Sequence, residues 1–96
     1  VLSGVVGHIK WGHYTAAAIH GYAVAPTNKR RTEWVLDATV VLADAFKMAQ
    51  TPLRFIAKHA KGEWEFPIVG FARRADGHYQ GRLTATLGAP RSLPRR

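Results

Sequence analysis

The chain is 96 residues long, 47% hydrophobic and 21% charged, and 14 Lys and Arg against 6 Asp and Glu give a formal net charge of +8. That length allows one domain with a thin core, burying roughly 60–65% of the unfolded chain's surface, and the balance of apolar and charged residues argues against disorder over most of the chain. The lack of cysteine excludes disulfides, thiol catalysis and thiolate metal sites and fits a reducing, cytoplasmic location. No run of about 18 apolar residues is present to span a membrane.

The opening stretch Val1 to Val6 is too short, and lacks the basic flank, for a secretory signal. Ser3-Gly4-Val5-Val6-Gly7 has glycines but neither the lysine nor the spacing of a phosphate loop. In His8-Ile9-Lys10-Trp11-Gly12-His13-Tyr14, charge, imidazole and aromatic rings mix, which makes Trp11 the ring most expected at the surface. His13 to Ala25 is rich in Ala, Ile, Val and Tyr, lacks strong helix caps and contains Gly21, which disfavours a helix. A polar break follows at Thr27 to Thr32, with Lys29, Arg30 and Arg31 at its tip.

Glu33 to Ala43 fits two patterns. As a strand it lines up Trp34, Leu36, Ala38, Val40 and Leu42; as a helix, with Thr32 as N-cap, it lines up Val35, Ala38, Leu42, Ala45 and Ala49. Val40-Val41 and the tryptophan favour the strand, and two strands joined at 27–32 make a hairpin. Asp44 to Thr51 reads as a loop or a short helix.

From Pro52 the period-two alternation is plain. Leu53, Phe55 and Ala57 alternate with Arg54, Ile56 and Lys58, and after the turn His59-Ala60-Lys61-Gly62 the alternation resumes through Glu63, Trp64, Glu65, Phe66, Pro67 and Ile68. This register sets Lys58 opposite Glu63, Ala57 opposite Trp64, Phe55 opposite Phe66 and Leu53 opposite Ile68, so one face is wholly apolar. Pro67, which cannot donate to a ladder, marks an edge or a bulge. Asp76-Gly77 signals a second hairpin, expected to pair Ile68 with Ala85, Gly70 with Leu83 and Ala72 with Gly81. Residues 89–96, rich in Pro and Arg, read as a flexible basic tail after a single domain over 1–88.

The expected fold is therefore mostly β: an antiparallel barrel or sandwich of about five to six strands, with an α+β arrangement carrying one helix near 33–50 as the alternative. No catalytic machinery is legible. His8, His13 and His20 have no carboxylate near them in sequence and no metal-binding spacing, and Ser3 and Ser92 lack a nucleophile motif. Glu63 and Glu65 share a face, but Lys58 and Arg54 as neighbours make them structural ion-pair partners. No cofactor, metal site or enzymatic activity is expected.

The basic residues point elsewhere. Lys10, Trp11, Lys29, Arg30, Arg31, Lys58, Lys61, Arg73 and Arg74 form the expected nucleic-acid contacts, cations for phosphates and exposed rings for bases. The stacking candidates are Trp11, Tyr14, Tyr22 and Tyr79, whereas Phe55, Trp64, Phe66 and Trp34 are expected in the core. The reading that follows is a small DNA- or RNA-binding β-domain. One alternative is a subunit of a larger assembly, such as a viral or mobile-element particle component, self-associating through a sheet edge or an outward face bearing Ile56, Val69 and Phe71. Another is a small enzyme relying on histidine.

Overall fold

The computed structural model describes residues 2–75 and 81–93, without the side chains of residues 73–75. Along the chain run β1 (Leu2–Trp11), β2 (Tyr14–Pro26), β3 (Trp34–Ala43), α1 (Ala45–Met48), β4 (Arg54–His59), β5 (Gly62–Ala75), β6 (Gly81–Leu87) and β7 (Arg91–Leu93). The protein is mostly β, as its alternation implies. The helical alternative for 33–50 fails over β3, where Leu36, Ala38 and Val40 are buried and Val35, Asp37, Thr39 and Val41 are exposed. Helix is confined to α1, started by Asp44, whose side chain accepts the Lys47 N–H at 3.0 Å, and anchored by buried Met48.

The strands close into a ring. Their order is β4-β1-β2-β3-β6-β5, and β4 pairs with β5 to complete it. Two three-stranded meanders, β1–β3 and β4–β6, are thus joined along β3–β6 and β1–β4. The turn between β1 and β2 is Gly12-His13, with Gly12 at φ 59°, the left-handed backbone that a two-residue hairpin turn demands. Ile9, Val24, Leu36, Val40, Phe55, Phe66, Leu83 and Leu87 fill the interior, each stabilising the fold by about 1.5–3 kcal/mol relative to an exposed side chain.

β5 changes partners along its length. Gly62–Pro67 pairs with β4, Glu63–Glu65 also pairs with β7, and Ile68–Ala75 pairs with β6. Arg91–Leu93 is therefore not part of a free tail: β7 continues the line of β6 along β5. The register predicted for the β4–β5 hairpin is the one observed, with a tighter turn at Ala60-Lys61. The second hairpin differs. Ala75 pairs with Gly81, so next to the turn the register is three residues from the expected one, with Ala72 opposite Thr84 and Gly70 opposite Thr86; a bulge between Ile68 and Gly70 takes back one residue and leaves Ile68 opposite Leu87. Pro67 lies at that corner, where its carbonyl accepts the Gly88 N–H at 2.8 Å. The Asp76-Gly77 turn and Tyr79 lie outside the described residues.

The bulge also dissolves the expected apolar outer face. Ile56 faces outward but is buried between the strand neighbours His8 and Glu65. Val69 protrudes from the bulge at 74% exposure, and Phe71, with parity reversed, pairs with core-facing Ala85. The three residues do not make one surface. Among the described residues no helix is long and apolar enough to cross a membrane.

Candidate functional site

Antiparallel connectivity sorts the loops between the two ends of the barrel. The β2–β3 loop, the β4–β5 turn and the β6–β7 link share one end; the β1–β2 turn and α1 share the other. Lys29, Arg30, Arg31 and Lys61 therefore belong to one end, with Lys58 beside them on β4. Arg73 and Arg74 lie on β5 toward the opposite end, and their side chains are outside the described residues. Lys10 sits on the outer face of β1, opposite Arg54 of β4. The expected contacts are thus divided rather than gathered on one surface.

The β2–β3 tip is closed on itself. Asn28 Oδ1 accepts the Thr32 N–H at 3.1 Å, Asn28 Nδ2 donates to Thr32 Oγ1 at 2.9 Å, and the Thr27 N–H donates to the Glu33 carbonyl at 2.9 Å. These bonds leave Lys29, Arg30 and Arg31 exposed at the apex.

Most neutralisation happens elsewhere. Asp37 pairs with Arg82 at 3.2 Å, Asp44 with Lys47 at 3.7 Å, and Glu65 with both Arg54 and Arg91, the latter at 2.6 Å. Among the described residues, Lys10, Lys29, Arg30, Arg31, Lys58 and Lys61 hold no ion pair. Lys58 faces Glu63 in register, as the sequence implies, without a bridge. Glu65 matches the structural role expected for it: burial alone would raise its pKa, but hydrogen bonds from Arg54 and Arg91, and their charges, win and hold it below the usual carboxylate value.

The aromatic residues at the basic end are not the ones expected. Trp11 is half-buried, packed against Tyr14 at 5.9 Å and edge-on to Phe46 at 6.2 Å, at the other end. Tyr22 is in the core: its hydroxyl donates to the Lys58 carbonyl at 2.7 Å. The ring can cross β1 because Gly4 lies beneath it, where a Cβ would come within 2.5 Å of the hydroxyl. Tyr14 is exposed but lies under the Lys47 ammonium, 5.0 Å from its ring centre, away from the basic tip. Trp34 and Trp64 instead border a cleft of about 200 Å³ with Leu2, Phe66 and Pro90, at the mouth of the basic end. Trp34 Nε1 donates to the Arg31 carbonyl at 2.9 Å, tying this ring to the cationic tip. The sequence held a signal for this: Trp34 follows Lys29-Arg30-Arg31 by three residues, and strand mouths are only half-covered.

A second, larger cleft of about 500 Å³ lies over Ile56 on the outer face of β1 and β4, lined by His8, Lys10, Thr15, Arg54, Lys58, Glu63 and Leu93. His8 and Lys10 alternate along β1, and Arg54, Ile56 and Lys58 along β4, so the cross-strand register places them side by side. His8 Nδ1 is buried without a hydrogen-bond partner among the described residues. Burial first, then the charges of Lys58 and Lys10, lower the pKa of His8 against the opposing effect of Glu63. Among the described residues, no three His, Asp or Glu side chains group as a metal site.

Comparison with known proteins finds no matching family model, no matching curated protein and no matching solved structure.

Proposed function

We propose that this protein binds single-stranded nucleic acid across the basic end of its barrel. Lys29, Arg30, Arg31, Lys58 and Lys61 contact phosphates, and one base enters the cleft between Trp34 and Trp64. The observation that carries this reading is the separation of charge. Asp37, Asp44 and Glu65 hold cations elsewhere on the barrel, whereas these five cations have no ion pair among the described residues, although Glu33 and Glu63 lie at the same end, and they share that end with the cleft of Trp34 and Trp64. Free cations release counterions from a phosphate chain, and a base on an aromatic ring adds about 1–3 kcal/mol. A base in a duplex is stacked and paired and cannot enter such a cleft, so single strands are preferred.

The test is a salt titration of labelled single-stranded and duplex oligonucleotides, read by fluorescence anisotropy. Replacing Lys29, Arg30 and Arg31 together with Gln removes three phosphate contacts. The slope of log K against log salt should then flatten by about 2, at about 0.7 per contact on single strands. Lys47→Gln, at the opposite end, should leave binding unchanged. A triple variant that binds like the parent, or equal affinity for duplex and single strand, sinks the proposal.

A further inference from the structure

The cleft over Ile56 has a chemistry of its own. Its floor is apolar and its walls are cationic, and His8 is set among the cations rather than beside a partner. Lys10 lies two residues along β1 from His8 on the same face, and Arg54 and Lys58 flank His8's cross-strand neighbour Ile56 on β4. The other groups facing this region are known from the register. β2 contributes Thr15, opposite Lys10, and His20, opposite Val6; β5 contributes Glu63 and Glu65; β7 contributes Arg91. Glu65 is occupied by Arg54 and Arg91. Glu63 alone opposes Lys10 and Lys58, so the cleft keeps an excess of positive charge.

Which His8 nitrogen carries the proton follows from burial. A lone pair is less costly to leave buried and unpartnered than an N–H. Nδ1 is buried without a partner, so the neutral ring keeps its hydrogen on Nε2, the nitrogen left to face the cleft.

We propose that this cleft is an oxyanion subsite, where one phosphate group sits between the Lys10 and Lys58 ammonium groups and accepts a hydrogen bond from His8. It rests on the nucleic-acid reading only for its source: Lys58 lies beside the turn at the basic end, so a strand held there continues onto β1 and delivers a phosphate to His8. A free oxyanion has the same chemistry. Occupancy cancels the repulsion that Lys58 and Lys10 exert on the imidazolium, so binding and protonation of His8 favour each other. An anion raises the pH at which His8 titrates, and it binds more tightly as the pH falls through that point.

The experiment follows the His8 ring resonances by NMR in the full chain. The probes are sulfate, whose charge is constant over the range used, and then a single-stranded oligonucleotide. Sulfate should shift the His8 titration upward and bind several-fold more tightly at pH 5.5 than at pH 7.5. Lys10→Gln, a change at the rim of the cleft, should weaken sulfate binding by about tenfold, the worth of one charge-assisted hydrogen bond, while leaving the remaining spectrum folded. His8→Gln should abolish the pH dependence. If sulfate leaves His8 unmoved while the oligonucleotide still binds, the subsite is wrong and the nucleic-acid reading stands. If sulfate moves His8 but no oligonucleotide binds, the subsite stands as a site for a free oxyanion and the nucleic-acid reading falls. An oligonucleotide that binds tightly without disturbing His8 refutes the strand as the source.

Discussion

Glu65 is 8% exposed, on the outer side of the barrel, and it remains ionised because Arg54 and Arg91 both close on it. Both arginines reach solvent, so the trio is weaker than a fully buried pair. Its pKa is lower folded than unfolded. Its contribution is therefore complete above the unfolded carboxylate value of about 4.3 and is lost as the pH falls through the folded value. Glu65→Gln should cost about 1–3 kcal/mol at neutral pH, and the gap to the parent should close as the medium becomes acidic. Urea midpoints of the two proteins at pH 7 and pH 3 check this; an equal gap at both would show that the charge is not what stabilises. The sequence announced this carboxylate's role, since Glu65 faces Arg54's strand in a hairpin with a short turn. It did not announce Arg91, which arrives 26 residues later on β7. Nor did it announce Tyr22's burial, which depends on the bare backbone of Gly4, its cross-strand partner.

At the level of strands, the departures from simple alternation are where the barrel bends. On β2 the inward residues run Ala17, Ile19, then Tyr22 and Val24, a step of three rather than two, and the pairing with β3 shifts there. Gly21 supplies the bend at φ 84°, a conformation costing about 1–2 kcal/mol for an L side chain. Gly70, in the β5 bulge, has no such backbone, and at both glycines an added Cβ meets nothing within 4 Å. Gly21→Ala should therefore lower stability by about 1–2 kcal/mol, while Gly70→Ala should be close to neutral. Denaturant midpoints of the pair isolate backbone strain from packing, and equal effects would contradict a strained turn at residue 21. The bulge at Ile68–Gly70 is the element that sequence alternation misses. The residues around it are apolar in either register, so a one-residue slip leaves no polar side chain in the core to betray it.

For the molecule as a whole, closure removes the free edges of six strands and divides the loops between two ends, while the net charge of +8 stays unbalanced. Self-repulsion of that charge opposes folding, and only Asp37, Asp44 and Glu65 form ion pairs among the described residues. Stability should rise between about 0.01 M and 0.15 M NaCl as the screening length falls from about 30 Å to about 8 Å. Thermal midpoints across that range check it, and a fall would mean that the ion pairs outweigh the repulsion. The β class, the register of the β4–β5 hairpin and the basic character were determined by sequence alone. Each depends on neighbours in the chain or across one short turn, where period-two patterning and charge pairing leave a direct trace. Ring closure was decided by pairings such as Val6 with Lys58 and Ala38 with Leu83. Backbone hydrogen bonds between distant strands use groups that every residue carries, so they leave no mark in side-chain order. The same closure decided that Trp34 and Trp64 border the opening at the basic end while Trp11 packs at the other end and Tyr22 is buried, and that His8 lies among Lys10, Lys58 and Arg54.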